Sequence, residues 1–326
     1  MNPTIHQPPI YPVIRRRAWK KWAYAAILTL ILLGLLAALG LSYYVTYELS
    51  HPAKKPVKLD PGQIGLGFQN VTFKSRQGGI ALKGWVIKAD KPIHKWVITS
   101  HGYRQNRLIW PEDGKPAGRP GLDFFKFLHD SGYNILAFDY RNSGQSEGDT
   151  TTVGYDEQKD LLSAVDEVER LDPKAEVSLI GWSMGASTAL AVAGEHPAVK
   201  AVIADSPFED LGAYLKDNLS KWSGLPNFPF TPLILNVWVP IVTGVHADGF
   251  RPIEALAKFN GSILLIHSKA DSKIPYADSQ TIYDTYKDKK DIDLVTFARS
   301  DHTMAFVDEP ETYEKAILDF FKRIKF

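Results

Sequence analysis

The stretch "AEVSLIGWSMGASTALAVAGEH", residues 175–196, narrows the choice of fold more than any other part of this chain. Its first eight residues have the apolar, β-branched character of a buried strand, and its second half has the Ala- and Leu-rich character of a helix. No loop separates them. The chain must therefore turn from strand to helix within about two residues, and the residue at the turn, Ser183, is forced into a strained backbone conformation. Gly181 and Gly185 flank it symmetrically, so no side chain obstructs the reversal. The result is a hydroxyl raised clear of the end of a sheet. A glycine-rich turn that merely contains a serine fits the same letters, so the remaining residues must decide.

They decide through alternation. Residues 68–75 and 80–89 read as two antiparallel strands joined by "RQGG", and "KWVITSHGY" as a third strand. A helix over "GLDFFKFLHDSG", a buried strand "YNILAFDYRN" and a helix over "YDEQKDLLSAVDEVERLD" follow. After the turn at Ser183 come the strand "VKAVIADSP", the strand "GSILLIHSKAD", a helix around "YADSQTIYDTYK", the strand "IDLVTFA" and a terminal helix from Pro310. Strands alternating with helices predict βαβ units and an α/β fold with a mostly parallel sheet. Ligands of such sheets bind beyond the carboxyl ends of the strands. Those ends are polar here: His101-Gly102, "DYRNSGQSEG", Ser183, Asp205, Asp271 and finally His302.

The N-terminal segment has a different texture. From Trp22 to Tyr47 no residue is charged, and about 20 apolar helical residues span a bilayer core. Trp22 and Tyr24 stand at one end of this run and Tyr43, Tyr44 and Tyr47 at the other, as interfacial aromatic belts do. "RRRAWKK" precedes it, and basic residues stay on the cytoplasmic side. The reading is a cytoplasmic tail (1–21), a transmembrane anchor (22–47), a linker (48–66) stiffened by Pro52, Pro56 and Pro61, and an extracytoplasmic domain (67–326). The run is longer than the apolar core of a cleaved signal peptide. The chain's net charge of +1 conceals the asymmetry: residues 1–21 carry +5 and the remainder −4, which offers nothing to nucleic acid. There is no cysteine, which excludes disulfides, thiolate catalysis and Cys-ligated metal.

Taken in order, the motifs are H-G, D-x-R-x-x-G-x-S-x-G, G-x-S-x-G, a late Asp and a later His. With this set the chain from about Gly67 to Phe326 resembles the α/β-hydrolase fold serine hydrolases. It looks most like bacterial membrane-bound cell-surface hydrolases and the monoacylglycerol-lipase-like esterases. "HS" at His267-Ser268 departs from the His-Gly of many relatives. A serine hydroxyl is a weak nucleophile and needs a base, which needs an acid to hold its tautomer. The chain order Ser, Asp, His is the one this fold uses. The resemblance implies Ser183 as nucleophile, His302 as base and Asp271 as acid, with Asp205 the alternative acid that some relatives use. It implies an oxyanion hole from the backbone N–H groups of Met184 and Tyr103. His101 is expected to be structural, as are Asp139, Arg141 and the glycines of "RNSGQSEG". Residues 208–258 read as a cap insertion, either a peripheral hairpin or a lid whose Phe228, Phe230 and Trp238 line an apolar pocket.

The expected function is that of a membrane-anchored carboxylesterase or lipase acting on a small ester or lipid-like substrate outside the cytoplasmic membrane. No metal or organic cofactor and no nucleic-acid partner is expected. "GWS" also occurs in the prolyl-oligopeptidase-like branch, so a serine peptidase or amidase is the alternative, although the chain is short for a propeller domain beside the hydrolase. A non-catalytic surface relative is the third reading, and the presence of all three triad residue types argues against it.

Overall fold

The computed structural model describes residues 18–110 and 119–326. Arg15, Arg16 and Arg17, three of the five basic residues on which the expected orientation rests, lie outside the described residues. The uncharged run forms α1, Ala18–Ser50, one unbroken helix of 33 residues, about 50 Å long. It is long and apolar enough to cross a membrane. It extends one turn beyond the expected end at Tyr47, because nothing interrupts a helix before Pro52 and Ser50 Oγ donates back to Thr46 O at 2.8 Å.

Eight strands form one sheet in the order β1-β2-β4-β3-β5-β6-β7-β8. β1 (Gln69–Lys74) and β2 (Ala81–Ile87) are the antiparallel pair at one edge. β3 (Lys95–Ser100), β4 (Asn134–Phe138), β5 (Glu176–Trp182), β6 (Val199–Asp205), β7 (Ser262–Ser268) and β8 (Ile292–Phe297) run parallel to one another. Because a parallel sheet is covered on both faces, its inner strands are apolar throughout. In β5, Val177 and Leu179 face one core, and Ile180 and Trp182 face the other.

Helices α3 (Glu157–Leu171), α4 (Met184–Val192) and α9 (Tyr276–Tyr286) close the first face. Helices α2 (Arg119–Asp130), α10 (Ala305–Asp308) and α11 (Pro310–Ile324) close the second. The cap consists of α5 (Leu211–Ser223), α6 (Asn227–Leu233), a π-helical turn over Ile234–Trp238, α7 (Val239–Thr243) and α8 (Pro252–Ala255). Its α6, π turn and α7 all pack against α1. The segment 51–60 is extended and Pro61–Ile64 forms a 3-10 turn, but the stretch does not stand off from the domain. Pro52, Pro61 and Leu66 are buried, and Val57, Leu59 and Ile64 pack on the core beneath α2 and α11. Apolar side chains between the prolines press it onto the sheet's flank.

Candidate active site

At the end of β5 the chain turns into α4 within a single residue. Ser183 sits at φ 55° and ψ −122°, a left-handed strain that persists only where its surroundings enforce it. Its N–H donates to Asp205 O at 2.8 Å. The flanking glycines are obligatory here. A Cβ on Gly185 would lie 2.0 Å from Ser100 O, and one on Gly181 would lie 2.3 Å from Gly185 O.

Two loops bring partners to this hydroxyl, one after β8 with His302 and one after β7 with Asp271. Ser183 Oγ donates to His302 Nε2 at 2.9 Å, and His302 Nδ1 donates to Asp271 Oδ2 at 2.7 Å. Asp271 is fixed from its other side, where Oδ1 accepts from the backbone N–H groups of Lys273 (2.8 Å) and Ile274 (2.9 Å). Burial alone would raise its pKa. Hydrogen bonds from His267 and His302 outweigh that and hold the carboxyl well below the usual range. A hydroxyl, an imidazole and a charged carboxylate in this line can move a proton from oxygen to nitrogen and hold the resulting imidazolium.

The second candidate acid is engaged elsewhere. Asp205 accepts from Tyr313 Oη at 2.9 Å and from Ser206 Oγ at 3.0 Å. Burial pushes its carboxyl up to about 6, which disfavours the charge that a base's partner must carry. His101 is buried. Its Nδ1 donates to Gly102 O at 2.8 Å, and its Nε2 accepts from Tyr140 N–H at 3.1 Å. Burial lowers its pKa, so it is a neutral brace for the loop after β3. Asp139 and Arg141 also brace loops, but through separate partners. Asp139 binds Arg107 at 2.5 Å, and Arg141 binds Asp160 at 2.8 Å.

The expected oxyanion donors border the hydroxyl. Met184 begins α4, and the first N–H groups of a helix have no acceptor within it. Tyr103 follows Gly102, where an added Cβ would lie 3.4 Å from Ser183 Cβ. Both residues line the same cavity of about 470 Å³ as Ser183 and His302.

That cavity corrects the expected pocket. None of Phe228, Phe230 and Trp238 is among its lining residues. Phe228 sits at the kink of α6 and is 82% exposed. Phe230 packs in the cap's own core. Trp238 turns to α1, edge-on to Tyr43 with centroids 5.2 Å apart. The cap instead contributes Tyr214, Leu219, Trp222, Ile234, Leu235 and Val239. Ile234 and Leu235 of the π turn and Val239 after it line the cavity, while Trp238 in the same turn packs on α1. The spacing of Leu235 and Val239 carried that signal.

Sequence reasoning also missed His267. Its Nδ1 accepts from Ser279 Oγ at 2.7 Å, and its Nε2 donates to Ile274 O at 3.1 Å with Asp271 Oδ2 at 3.3 Å. It therefore helps to fix the loop that holds Asp271. Nor did the sequence suggest that Thr46, Leu49 and Ser50 of α1 would line the cavity.

Comparison with known proteins bears on the family and the fold. The model of the prolyl oligopeptidase family matches residues 124–325. An uncharacterized protein of Bacillus subtilis, YqkD, is 31% identical over 246 residues, covering 74% of this chain and 75% of that protein. The lysophosphatidylserine lipase ABHD12 of Danio rerio is 24% identical over 219 residues, 64% of this chain and 51% of the lipase. Among solved structures, the esterase Pf2001 of Pyrococcus furiosus superposes with a TM-score of 0.68 at 24% identity, over 85% of this chain and 98% of its own, a likeness of fold. The matched family is the branch that "GWS" had raised as the alternative, and its members share the α/β-hydrolase fold expected from the motif order. The chain is a hydrolase of the α/β-hydrolase superfamily and belongs to the prolyl oligopeptidase family.

Proposed function

We propose that this protein is a membrane-anchored serine hydrolase that cleaves carboxylic esters through an acyl-enzyme. The observation that carries the reading is the hydrogen-bonded line Ser183–His302–Asp271 at the wall of an apolar cavity. In the first half-reaction Ser183 Oγ attacks the acyl carbonyl carbon and its proton passes to His302 Nε2. The carbonyl oxygen becomes an oxyanion facing the N–H groups of Met184 and Tyr103. His302 then gives the proton to the leaving alcohol as the C–O bond breaks. Water repeats the sequence on the acyl-serine and releases the acid. Asp271 stays ionised throughout and holds His302 Nδ1–H.

In this reading α1 is the anchor, the basic N-terminus is cytoplasmic and the hydrolase domain lies on the outer side. Ester cleavage is favoured by the apolar walls of the cavity and agrees with the names of an esterase of the same fold and a lipase relative. A serine peptidase or amidase is the second reading, favoured by membership of the prolyl oligopeptidase family.

A fluorophosphonate probe should label the wild-type protein and not Ser183→Ala, which should lose on the order of a million-fold in turnover. Each methylene buried contributes about 0.8 kcal/mol, roughly fourfold. The value of kcat/KM should therefore climb from acetyl to butyryl to hexanoyl esters. Absence of labelling would overturn the serine hydrolase. Cleavage of aminoacyl amides without cleavage of esters would move the assignment to the peptidase.

A further inference from the structure

We infer that the last turns of α1 are a wall of the acyl pocket, and that the substrate is a long-chain ester lipid of the bilayer that enters sideways, between α1 and the cap. This rests on the hydrolase reading above and adds the source and route of its substrate.

The first support is the way α1 ends. Ala38, Ser42, Thr46 and Ser50 are buried at a spacing of four, one stripe along the helix. Its hydroxyls turn back on the helix itself: Ser42 Oγ donates to Ala38 O, Thr46 Oγ1 to Ser42 O (2.8 Å) and Ser50 Oγ to Thr46 O (2.8 Å). Their hydrogen bonds are thus made within the helix, and Thr46, Leu49 and Ser50 complete the cavity that holds Ser183. A helix serving only as a tether has no need to reach the reacting hydroxyl. This one is also clamped in place. Tyr103 Oη donates to Leu49 O at 2.6 Å, and Thr151 N–H donates to Ser50 O at 2.8 Å.

The second support is depth. Counting about 20 residues of hydrocarbon-spanning helix from Trp22 reaches Leu41. Thr46 then lies only about 8 Å beyond that boundary along the helix axis. Tyr43, Tyr44 and Tyr47, the aromatic belt, stand between and beside them. The cap packs on this same stretch, with Trp238 against Tyr43.

The third support is the outer surface of the cap. Outside α1, four large apolar side chains are exposed among the described residues: Trp222, Phe228, Ile241 and Leu318. Two of them, Phe228 and Ile241, stand on the cap away from the cavity, while Trp222 sits at the cavity wall. The bent pair Asn227–Thr243 and Ala247–Lys258, 75° apart, is apolar enough by length and composition to enter a membrane. A cap resting in the headgroup layer explains why Phe228 and Ile241 face outward. An acyl chain could then pass from hydrocarbon to cavity without each methylene being hydrated on the way.

The test uses the full-length protein in lipid vesicles carrying a trace of a fluorogenic palmitoyl glyceride, beside a water-soluble acetyl ester. Charging the cap's outer face with Phe228→Arg and Ile241→Arg together should lower hydrolysis of the vesicle ester by roughly tenfold or more, because interfacial docking scales with buried apolar area. Acetyl ester turnover should stay within about twofold, since neither side chain lines the cavity. Filling the α1 wall with Thr46→Trp, or more gently with Thr46→Leu, should reduce the ratio of decanoyl to butyryl turnover. The larger residue should cut it by roughly tenfold or more, two or three excluded methylenes at fourfold each. Parallel loss of both esters in the cap variant, or an unchanged chain-length ratio in both Thr46 variants, overturns the inference. So does a wild-type protein that is labelled by fluorophosphonate and cleaves acetyl esters but leaves the vesicle ester intact, and that result spares the hydrolase reading. If labelling itself fails, both fall.

Discussion

Asp271→Asn tests the proposed acid, and the structure dictates how the new amide must sit. Asp271 Oδ1 accepts two backbone N–H groups, from Lys273 and Ile274. An asparagine amide keeps those bonds only by placing its oxygen there, since its nitrogen cannot accept. The NH₂ group then occupies the position of Oδ2, 2.7 Å from His302 Nδ1. Two donors cannot face each other, so Nδ1 must give up its hydrogen and accept. His302 Nε2 then carries the hydrogen toward Ser183 and can no longer take the hydroxyl proton. The imidazolium also loses its counter-charge. Losing both should cost about 10⁴-fold in kcat, roughly 5.4 kcal/mol of transition-state stabilisation. The fold should be kept, because both backbone hydrogen bonds survive. The assay is kcat on butyryl ester for purified Asp271→Asn and Asp205→Asn, with thermal unfolding as the control. Asp205 bonds Tyr313 and Ser206 and makes no hydrogen bond to His302, so its amide should leave kcat within about tenfold of wild type. If a folded Asp205→Asn protein loses more activity than Asp271→Asn, the acid is on β6 and the reasoning is refuted.

Orientation can be read from cells: protease added to intact spheroplasts should digest the hydrolase domain while a cytoplasmic control survives, and full protection would reverse the orientation. At the elbow, Gly185→Ala should cost several kcal/mol and give little soluble protein, because its Cβ meets Ser100 O at 2.0 Å. Gly34→Ala, with nothing within 4 Å, should express normally, and equal expression of the two would refute the steric argument. Asp205 should also show in the pH dependence of stability. Its folded pKa of about 6 lies above the ordinary 3.8, so the folded state binds the proton more tightly and stability falls as pH rises through this window. Relative to Asp205→Asn, the wild type should lose roughly 2 kcal/mol between pH 4 and pH 7. A difference in melting temperature that does not change with pH would show that burial does not perturb this carboxyl.

The division between chain and fold follows the range of the interactions involved. Hydrophobic period and length alone set the αβ alternation, the parallel sheet and α1, because a strand buried on both faces and a 26-residue uncharged run each leave a local pattern. The turn at Ser183 is equally local, since a strand passing into a helix without a loop, with glycines on either side of the serine, lies within one stretch. His302 and Asp271 were readable because they follow strand ends, where chemistry gathers in such sheets. The choice of Asp271 over Asp205 was not local. Both end a strand, and only the burial of Asp205 against Tyr313 and the approach of His302 to Asp271 separate them. The cap shows the same limit. Apolar letters announced that residues 208–258 were unusual, but only packing decided that Ile234, Leu235 and Val239 line the cavity while Phe228, at the kink of α6, faces out. A helix hydrophobic on every side gives no sign of which stripe meets protein. Only tertiary packing could turn Ala38, Ser42, Thr46 and Ser50 inward and join α1 to the candidate active site.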